Sequence, residues 1–170
     1  NVIWNKGSKG KSPLKTNWGT YKSPKEPVNI ACHEQILVWS NQAFSLEIPD
    51  GGSIDITEEE FKEFAWSVWD VGPYVAPFNP HPASFCPELV SRILKFWSYQ
   101  NSNILDCYHG VGYTAKVCQE LHRNYTGIEL NSSYCVYAQE LLKSKNYQVG
   151  KKALQEILKD HKDVLKMVGM

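Results

Sequence analysis

The residues best suited to bind a small ligand surround two glycines in the second half of the chain. Residues 110–115 read Gly-Val-Gly-Tyr-Thr-Ala and fit the pattern G-x-G-x-x-[GA], while Asp106 ends the apolar segment before them. Glu129 follows at close to the roughly 20-residue spacing at which an acid reaches the ribose of a nucleotide. Glycines at a strand-to-helix turn allow positive φ angles and close approach of a ligand, and a carboxylate accepts hydrogen bonds from a ribose diol. The pattern therefore favours a nucleoside-containing cofactor over the simpler interpretation, a tight turn.

Asp106 bears on the class of nucleoside. Nicotinamide enzymes and S-adenosylmethionine enzymes share this geometry, so the spacing alone does not separate them. An ionised acid beside the glycines would repel a pyrophosphate, but it attracts a ligand that carries ammonium and sulfonium groups. A dinucleotide fold also needs a second mononucleotide-binding half, and only about 40 residues follow Leu130. We expect S-adenosylmethionine, with a nicotinamide-dependent oxidoreductase as the weaker alternative.

The elements that must position these residues form a predicted βαβ unit. The glycines lie between predicted elements: a strand over 103–106 precedes them, and a helix over 114–121 and a strand over 125–128 follow. Asn131 is a typical N-cap for a further helix over 134–142. The order of strand, glycine turn, helix and strand predicts a right-handed crossover between parallel strands.

Further elements are predicted on both sides of this unit. The apolar run at 36–39 predicts a buried strand. Thr57 begins a capping box, and apolar residues at helical spacing then continue to Trp69. Pro87 opens another helix, and residues 154–165 predict an amphipathic helix in the tail.

Charge and cysteine content narrow the class of protein. The chain has 18 basic and 18 acidic side chains, but residues 1–27 hold six lysines against one acid, whereas residues 50–70 hold seven acids against one lysine. The five cysteines include no CxxC pair, so neither a disulfide framework nor a zinc site is predicted. The apolar runs are far too short to span a membrane, and we expect a cytoplasmic protein without a metal site.

Segments around the glycines carry a family resemblance. Residues 106–114 are similar to Asp-Pro-Phe-x-Gly-Ser-Gly-Thr-Thr, and residues 33–38 are similar to a strand that reads His-Glu-Tyr-Ile-Leu-Val. Further matching segments are Ile3-Trp4-Asn5-Lys6-Gly7, Trp18-Gly19, residues 54–69, residues 81–89 and Gly127-Ile128-Glu129-Leu130. Their shared order resembles the permuted (beta-type) DNA adenine-N6/cytosine-N4 amino-methyltransferases.

The resemblance implies an α/β fold with a Rossmann-like, S-adenosylmethionine-dependent methyltransferase sheet flanked by helices, incomplete in this chain. The expected cofactor-binding residues are His81, Phe85, Asp106, Tyr108, Gly110, Gly112, Thr114 and Glu129. Among them, Asp106 and the glycine backbone would hold the methionine end, and Glu129 the ribose. The simpler interpretations are a loop histidine at position 81 and core aromatics at positions 108 and 125. Val111 and Tyr113 replace hydroxyl residues of the family pattern, which predicts reduced cofactor affinity.

The family's catalytic motif, Asp-Pro-Pro-Tyr, grips the amino group of a base flipped out of the duplex. No two adjacent prolines occur in the chain, and Asp70-Val71-Gly72-Pro73-Tyr74 is rejected as a match because it lies where the family has an ordinary connector. In the permuted order the motif precedes the segment at residues 3–7. The expectation is therefore that Asn1 is a truncation point and that this chain has no catalytic residue of its own.

The resemblance also divides the chain by role. A methyltransferase domain over 1–145 would comprise a substrate- and DNA-facing part (1–43), a small variable recognition segment (44–80) and the cofactor-binding βαβ part (81–145), followed by a C-terminal amphipathic helix (146–170). Lysines interleaved with aromatic rings suit phosphate contact and base stacking on double-stranded DNA. The expected DNA-binding residues are Lys6, Lys9, Lys11, Lys15, Trp18 and Tyr21. A solvated basic loop is the alternative.

Two functions remain in competition. The first is part of an S-adenosylmethionine-dependent DNA amino-methyltransferase whose catalytic motif lies in a missing N-terminal part or a partner chain. The second is a degenerate, non-catalytic module for DNA binding or assembly. The target base, the DNA site and the existence of a homodimer are left open.

Overall fold

The computed structural model of the chain describes residues 1–7, 32–41, 45–72 and 84–160. The chain forms two compact units, Asn1–Phe44 with Glu59–Pro73, and Ser45–Glu58 with Tyr74–Met170. Short strands and helices occur in both units, as the predicted α/β class requires. These units are defined by which residues pack together, so they do not test the predicted division of the chain by role, which stays a prediction.

The first unit is built on a three-stranded sheet. β1 (Val2–Asn5) lies in the centre, antiparallel to β2 (His33–Ile36) and parallel to the strand Val68–Asp70. α1 (Glu58–Phe64) precedes this third strand, β3, and begins directly after Thr57, where the capping-box pattern predicts a start.

Two buried tryptophans hold this sheet together. Trp4 of β1 and Trp69 of β3 are register partners, and both side chains are buried. The Trp4 indole N–H donates to the carbonyl oxygen of Val71 at 2.7 Å, and that of Trp69 donates to Phe64 at 3.0 Å. Each ring therefore buries its large apolar area without leaving its polar atom unpaired.

Two predictions for this unit are wrong. The run at 36–39 is no buried strand, because β2 ends at Ile36 and the side chains of Leu37 and Trp39 are 48% and 79% exposed. The predicted helix to Trp69 ends at Phe64, and β3 follows with Trp69 buried between two exposed neighbours. Pairing with β1 imposes the two-residue period of a strand on a segment that also fits helical spacing.

The second unit contains the predicted βαβ arrangement. Its elements are α2 (Pro87–Trp97), β4 (Asn103–Asp106), α3 (Tyr113–Glu120), β5 (Asn124–Gly127), α4 (Ser132–Lys143) and α5 (Lys151–Asp160). β4 and β5 are parallel, with Asp106 opposite Gly127, and α3 packs against α2, β5 and α4. The Asn131 side chain accepts a hydrogen bond from the N–H of Ser133 at 2.9 Å, which confirms the predicted N-cap.

The cysteines and helices of the described residues add three findings. All five thiols are free, and burial raises the pKa of Cys118 to about 11. No cluster of His, Cys, Asp and Glu in the described ranges has the composition of a metal site. Within the same ranges, every helix is too short or too polar to cross a bilayer.

Candidate cofactor-binding site

The glycine loop, residues 107–112, connects the end of β4 to the start of α3. Asp106 accepts a hydrogen bond from the backbone N–H of Tyr108 at 3.0 Å through its Oδ1. The backbone N–H of His109 donates to the carbonyl oxygen of Ile128 at 3.0 Å, which ties the loop to the exit of β5. Gly110 and Gly112 have φ angles of 57° and 87°, so both glycines adopt the left-handed conformation that the pattern predicts.

A cavity of about 240 Å³ opens beside this loop. Its lining residues are Ser84, Phe85, Asp106, Tyr108, His109, Gly110, Val111, Tyr113 and Thr114. The structure thus brings together five residues predicted from the sequence, Phe85, Asp106, Tyr108, Gly110 and Thr114. Drug-sized ligands usually occupy about 300–1,000 Å³, so this cavity suits one part of a nucleoside cofactor.

Tyr108 is no core residue. Its side chain is 93% exposed, and Phe85 on the same cavity is 55% exposed. The interpretation of Tyr108 as a core aromatic is therefore wrong. The exposed ring of Tyr108 could stack with a planar base.

Glu129 lies beside the glycine loop and binds its backbone. The carboxylate accepts hydrogen bonds from the N–H of Gly110 at 2.7 Å and from the N–H of Asn131 at 2.8 Å. Burial opposes ionisation of Glu129, but these backbone donors and the nearby His109 hold its pKa below the ordinary value. An ionised carboxylate has about four acceptor sites, so two bound N–H groups leave it able to accept further hydrogen bonds.

Gly112 lies behind the cavity, against α4. A Cβ atom at this position would lie 2.7 Å from the Cβ of Ala138 and 3.1 Å from the Cε1 of His109. The glycine therefore allows the loop to pack directly on α4.

His109 and Tyr125 form a polar pair that the sequence patterns do not mark. The Nδ1 of His109 lies 2.6 Å from the Oη of Tyr125, and His109 lines the cavity. Burial lowers the pKa of His109, although Asp106 and Glu129 act in the opposite direction. Burial and the Asp106 charge raise the pKa of Tyr125 above its ordinary range. His109 occupies position x of the family pattern Asp-Pro-Phe-x-Gly-Ser-Gly-Thr-Thr, where the pattern specifies no residue type. The pattern therefore could not single out His109 as a residue of the site.

Val111 and Tyr113 have a structural explanation. Both side chains are buried, and they belong to one apolar cluster with α4, α5 and the segment between them. The other buried members of the cluster are Tyr134, Tyr137, Leu141, Val149, Leu154 and Ile157. Apolar packing thus anchors the glycine loop where the family pattern has hydroxyl groups.

The remaining predicted residues divide between the described and undescribed parts of the chain. Lys6 makes an ion pair with Glu34, and its Nζ lies 5.1 Å from the ring centroid of Trp4. His81 and the DNA-binding candidates Lys9, Lys11, Lys15, Trp18 and Tyr21 lie outside the described residues. The assignment of these residues to cofactor or DNA stays a prediction.

Comparison with protein families gives a match over most of the chain. The family model described as DNA methylase matches residues 2–140. Type II methyltransferase M.XycI from Xanthomonas campestris pv. cyanopsidis is 36% identical over 84 residues, which cover 49% of this chain and 27% of that protein. The matched part therefore spans about a quarter of the length of this relative.

Solved structures show the same fold. The match to PvuII DNA methyltransferase, described as cytosine-N4-specific, covers 99% of this chain and 56% of the PvuII enzyme, at 13% sequence identity and a TM-score of 0.54. The match to TTHA0409 from Thermus thermophilus, in complex with S-adenosyl-L-methionine, covers 83% of this chain and 51% of TTHA0409, at 20% sequence identity and a TM-score of 0.51. The predicted Rossmann-like methyltransferase fold and the family resemblance are confirmed.

Proposed function

We propose that this chain, which belongs to the DNA methylase family, provides the S-adenosylmethionine-binding part of a DNA amino-methyltransferase. The enzyme would modify the exocyclic amino group of adenine or cytosine in double-stranded DNA. One observation carries the proposal: the carboxylate of Glu129 is bound to the N–H of Gly110, and Gly110 and Asp106 line the cavity beside the glycine loop. The relatives named as Type II methyltransferases support a role in restriction and modification.

The residues at the cavity fit S-adenosylmethionine. When bound, this cofactor supplies the methyl group that is transferred. Asp106 places a carboxylate at the cavity, where it would attract the ammonium and sulfonium groups of the cofactor. The remaining lone pairs of Glu129 can accept from the ribose hydroxyls, and the exposed rings of Phe85 and Tyr108 can stack on the adenine.

Cofactor binding tests the proposal directly. We expect isothermal titration calorimetry to detect S-adenosylmethionine binding, and Glu129→Ala to weaken it by roughly 10- to 100-fold, because hydrogen bonds to a charged group and a backbone anchor of the glycine loop are lost together. Glu140→Ala is the matched control, since Glu140 pairs with Lys143 on the surface of α4. Unchanged affinity in Glu129→Ala would contradict the assignment, and a preference for NAD would favour the oxidoreductase alternative.

We infer that catalysis requires the Asp-Pro-Pro-Tyr motif of the family. The chain contains no Asp-Pro-Pro-Tyr motif, so we expect the isolated chain to transfer no labelled methyl group to double-stranded DNA. Addition of a segment or partner chain that carries the motif should restore incorporation. Labelled methyl groups on DNA treated with this chain alone would overturn this part of the proposal.

A non-catalytic module is the second candidate. It is favoured by Val111 and Tyr113 in the glycine loop and by the backbone N–H groups that already bind the Glu129 carboxylate. Such a module would bind double-stranded DNA but not S-adenosylmethionine, so the same calorimetry separates the two candidates. DNA contact through Lys6 would compete with its ion pair to Glu34.

A further inference from the structure

Val111 and Tyr113 form part of the cavity wall and also pack against residues behind it. Both line the cavity beside the glycine loop, and both belong to the buried apolar cluster that includes Leu154 and Ile157 of α5. Each is only 3% exposed, so its side chain has little room to move. The position of this part of the wall therefore depends on the residues that pack behind it.

Tyr147, in the segment between α4 and α5, contacts α3 at both of its ends. Its ring centroid lies 6.0 Å from that of Tyr113, the first residue of α3, at an interplanar angle of 57°. Its hydroxyl group donates a hydrogen bond to the carboxylate of Glu120, the last residue of α3. The half-buried ring packs against two apolar clusters, that of Tyr113 and a second one that contains Val117 of α3. One side chain thus fixes α3 relative to the segment before α5.

A buried lysine makes a second connection between α3 and this segment, residues 144–150. The Nζ of Lys116 donates to the carbonyl oxygen of Ser144 at 2.7 Å. Ser144 is the C-cap of α4, so the cation also lies at the negative end of the dipole of that helix. The Oγ of Ser144 in turn donates to the carbonyl oxygen of Gln148 at 2.7 Å. The segment is therefore bound to α3 at more than one point, and contiguous contacts connect α5 to the cavity wall.

We propose that α5 and the segment before it control the cofactor affinity of the site, with Tyr147 as the positioning residue through which they act on Tyr113. This inference rests on the proposed function. The described residues that line the cavity include none from 144–160, so the effect passes through the cavity wall. When the packing behind Tyr113 loosens, the cofactor must order the wall as it binds, and affinity falls. Coupling between two sites is reciprocal, so cofactor binding also stabilises the packed position of α5.

Two substitutions of Tyr147 test this coupling in calorimetry with S-adenosylmethionine as the probe. Tyr147→Ala removes the ring contact with Tyr113 and the hydrogen bond to Glu120, whereas Tyr147→Phe keeps the ring. We expect Tyr147→Ala to weaken binding about 10-fold and Tyr147→Phe to stay within about threefold of the unaltered chain. Leu94→Ala is the control, because Leu94 is buried in the second cluster and does not line the cavity. It should lower the melting temperature but change the affinity less than about twofold.

Hydrogen exchange tests the reciprocal effect without any variant. Saturation of the unaltered chain with S-adenosylmethionine should slow amide exchange in α5 by about threefold or more, and Tyr147→Ala should remove this slowing. Unchanged exchange in α5, unchanged affinity in Tyr147→Ala, or an equal loss of affinity in Leu94→Ala overturns the inference and leaves the proposed function in place. If the unaltered chain does not bind S-adenosylmethionine, the proposed function fails and the inference fails with it. The exchange measurement decides the question even if Tyr147→Ala does not fold.

Discussion

Replacement of Arg123 by Met is expected to lower the free energy of unfolding by about 3–5 kcal/mol. The Arg123 side chain is fully buried, and its guanidinium binds the carboxylate of Asp55 through both terminal nitrogens, with Nη2 to Oδ1 at 2.7 Å. Removal of the guanidinium leaves Asp55, which is only 16% exposed, without its counter-charge. The loss is large against the 5–15 kcal/mol by which domains are usually stable.

Arg123 also satisfies backbone groups at two helix ends. Its terminal nitrogens donate to the carbonyl oxygens of Ser98 at 2.9 Å and Leu121 at 2.6 Å, which lie at the C-terminal ends of α2 and α3. Its Nε donates to the Oγ of Ser98 at 3.3 Å. Cations near helix C-termini also interact favourably with the helix dipole. A methionine side chain fills much of the same volume but donates no hydrogen bond.

Chemical denaturation measures this effect, and two variants control it. Lys143→Met removes a surface cation that pairs with Glu140 and should cost less than about 1 kcal/mol. The double variant Arg123→Met with Asp55→Leu should be more stable than the sum of its single changes, because no buried charge then lacks a partner. Equal losses in Arg123→Met and Lys143→Met would show that the buried pair is not the stabilising feature.

The parts of the fold that the sequence predicts well depend on local signals. The strand Asn103–Asp106, the two left-handed glycines and the Asn131 cap each follow from residues within a few positions of one another. Together they predict the βαβ unit and the place of Asp106 beside the glycine loop.

The remainder depends on contacts between distant positions. Arg123 and Asp55 are 68 positions apart, and Asp55 belongs to an acidic segment that suggests only a charged surface. His109 and Tyr125 are 16 positions apart and meet because of the register of β4 and β5. Pairing with β1 likewise converts an apparent helical stripe into β3. Periodicity describes one segment at a time, so it cannot reveal such partners.

Gly112→Ala is expected to lower the free energy of unfolding by roughly 2–4 kcal/mol and to abolish most cofactor affinity. Two independent costs contribute. The φ angle of 87° lies in the region that L side chains avoid, and a Cβ there would lie 2.7 Å from the Cβ of Ala138. Relief of the contact would move the glycine loop away from α4 and change the position of His109 and Asp106 at the cavity.

A double-mutant cycle separates these two costs. Ala138→Gly removes the atom that the new Cβ meets but does not change the φ angle, so Gly112→Ala with Ala138→Gly should be less destabilised than the sum of the two single variants. The coupling energy then measures the steric part, and the residual loss measures backbone strain. Gly72→Ala is the matched control, because an added Cβ there meets no atom within 4 Å. If the destabilisations of the two single variants simply add, close packing on α4 does not hold the loop. In that case the cofactor affinity of the double variant should remain as low as that of Gly112→Ala alone.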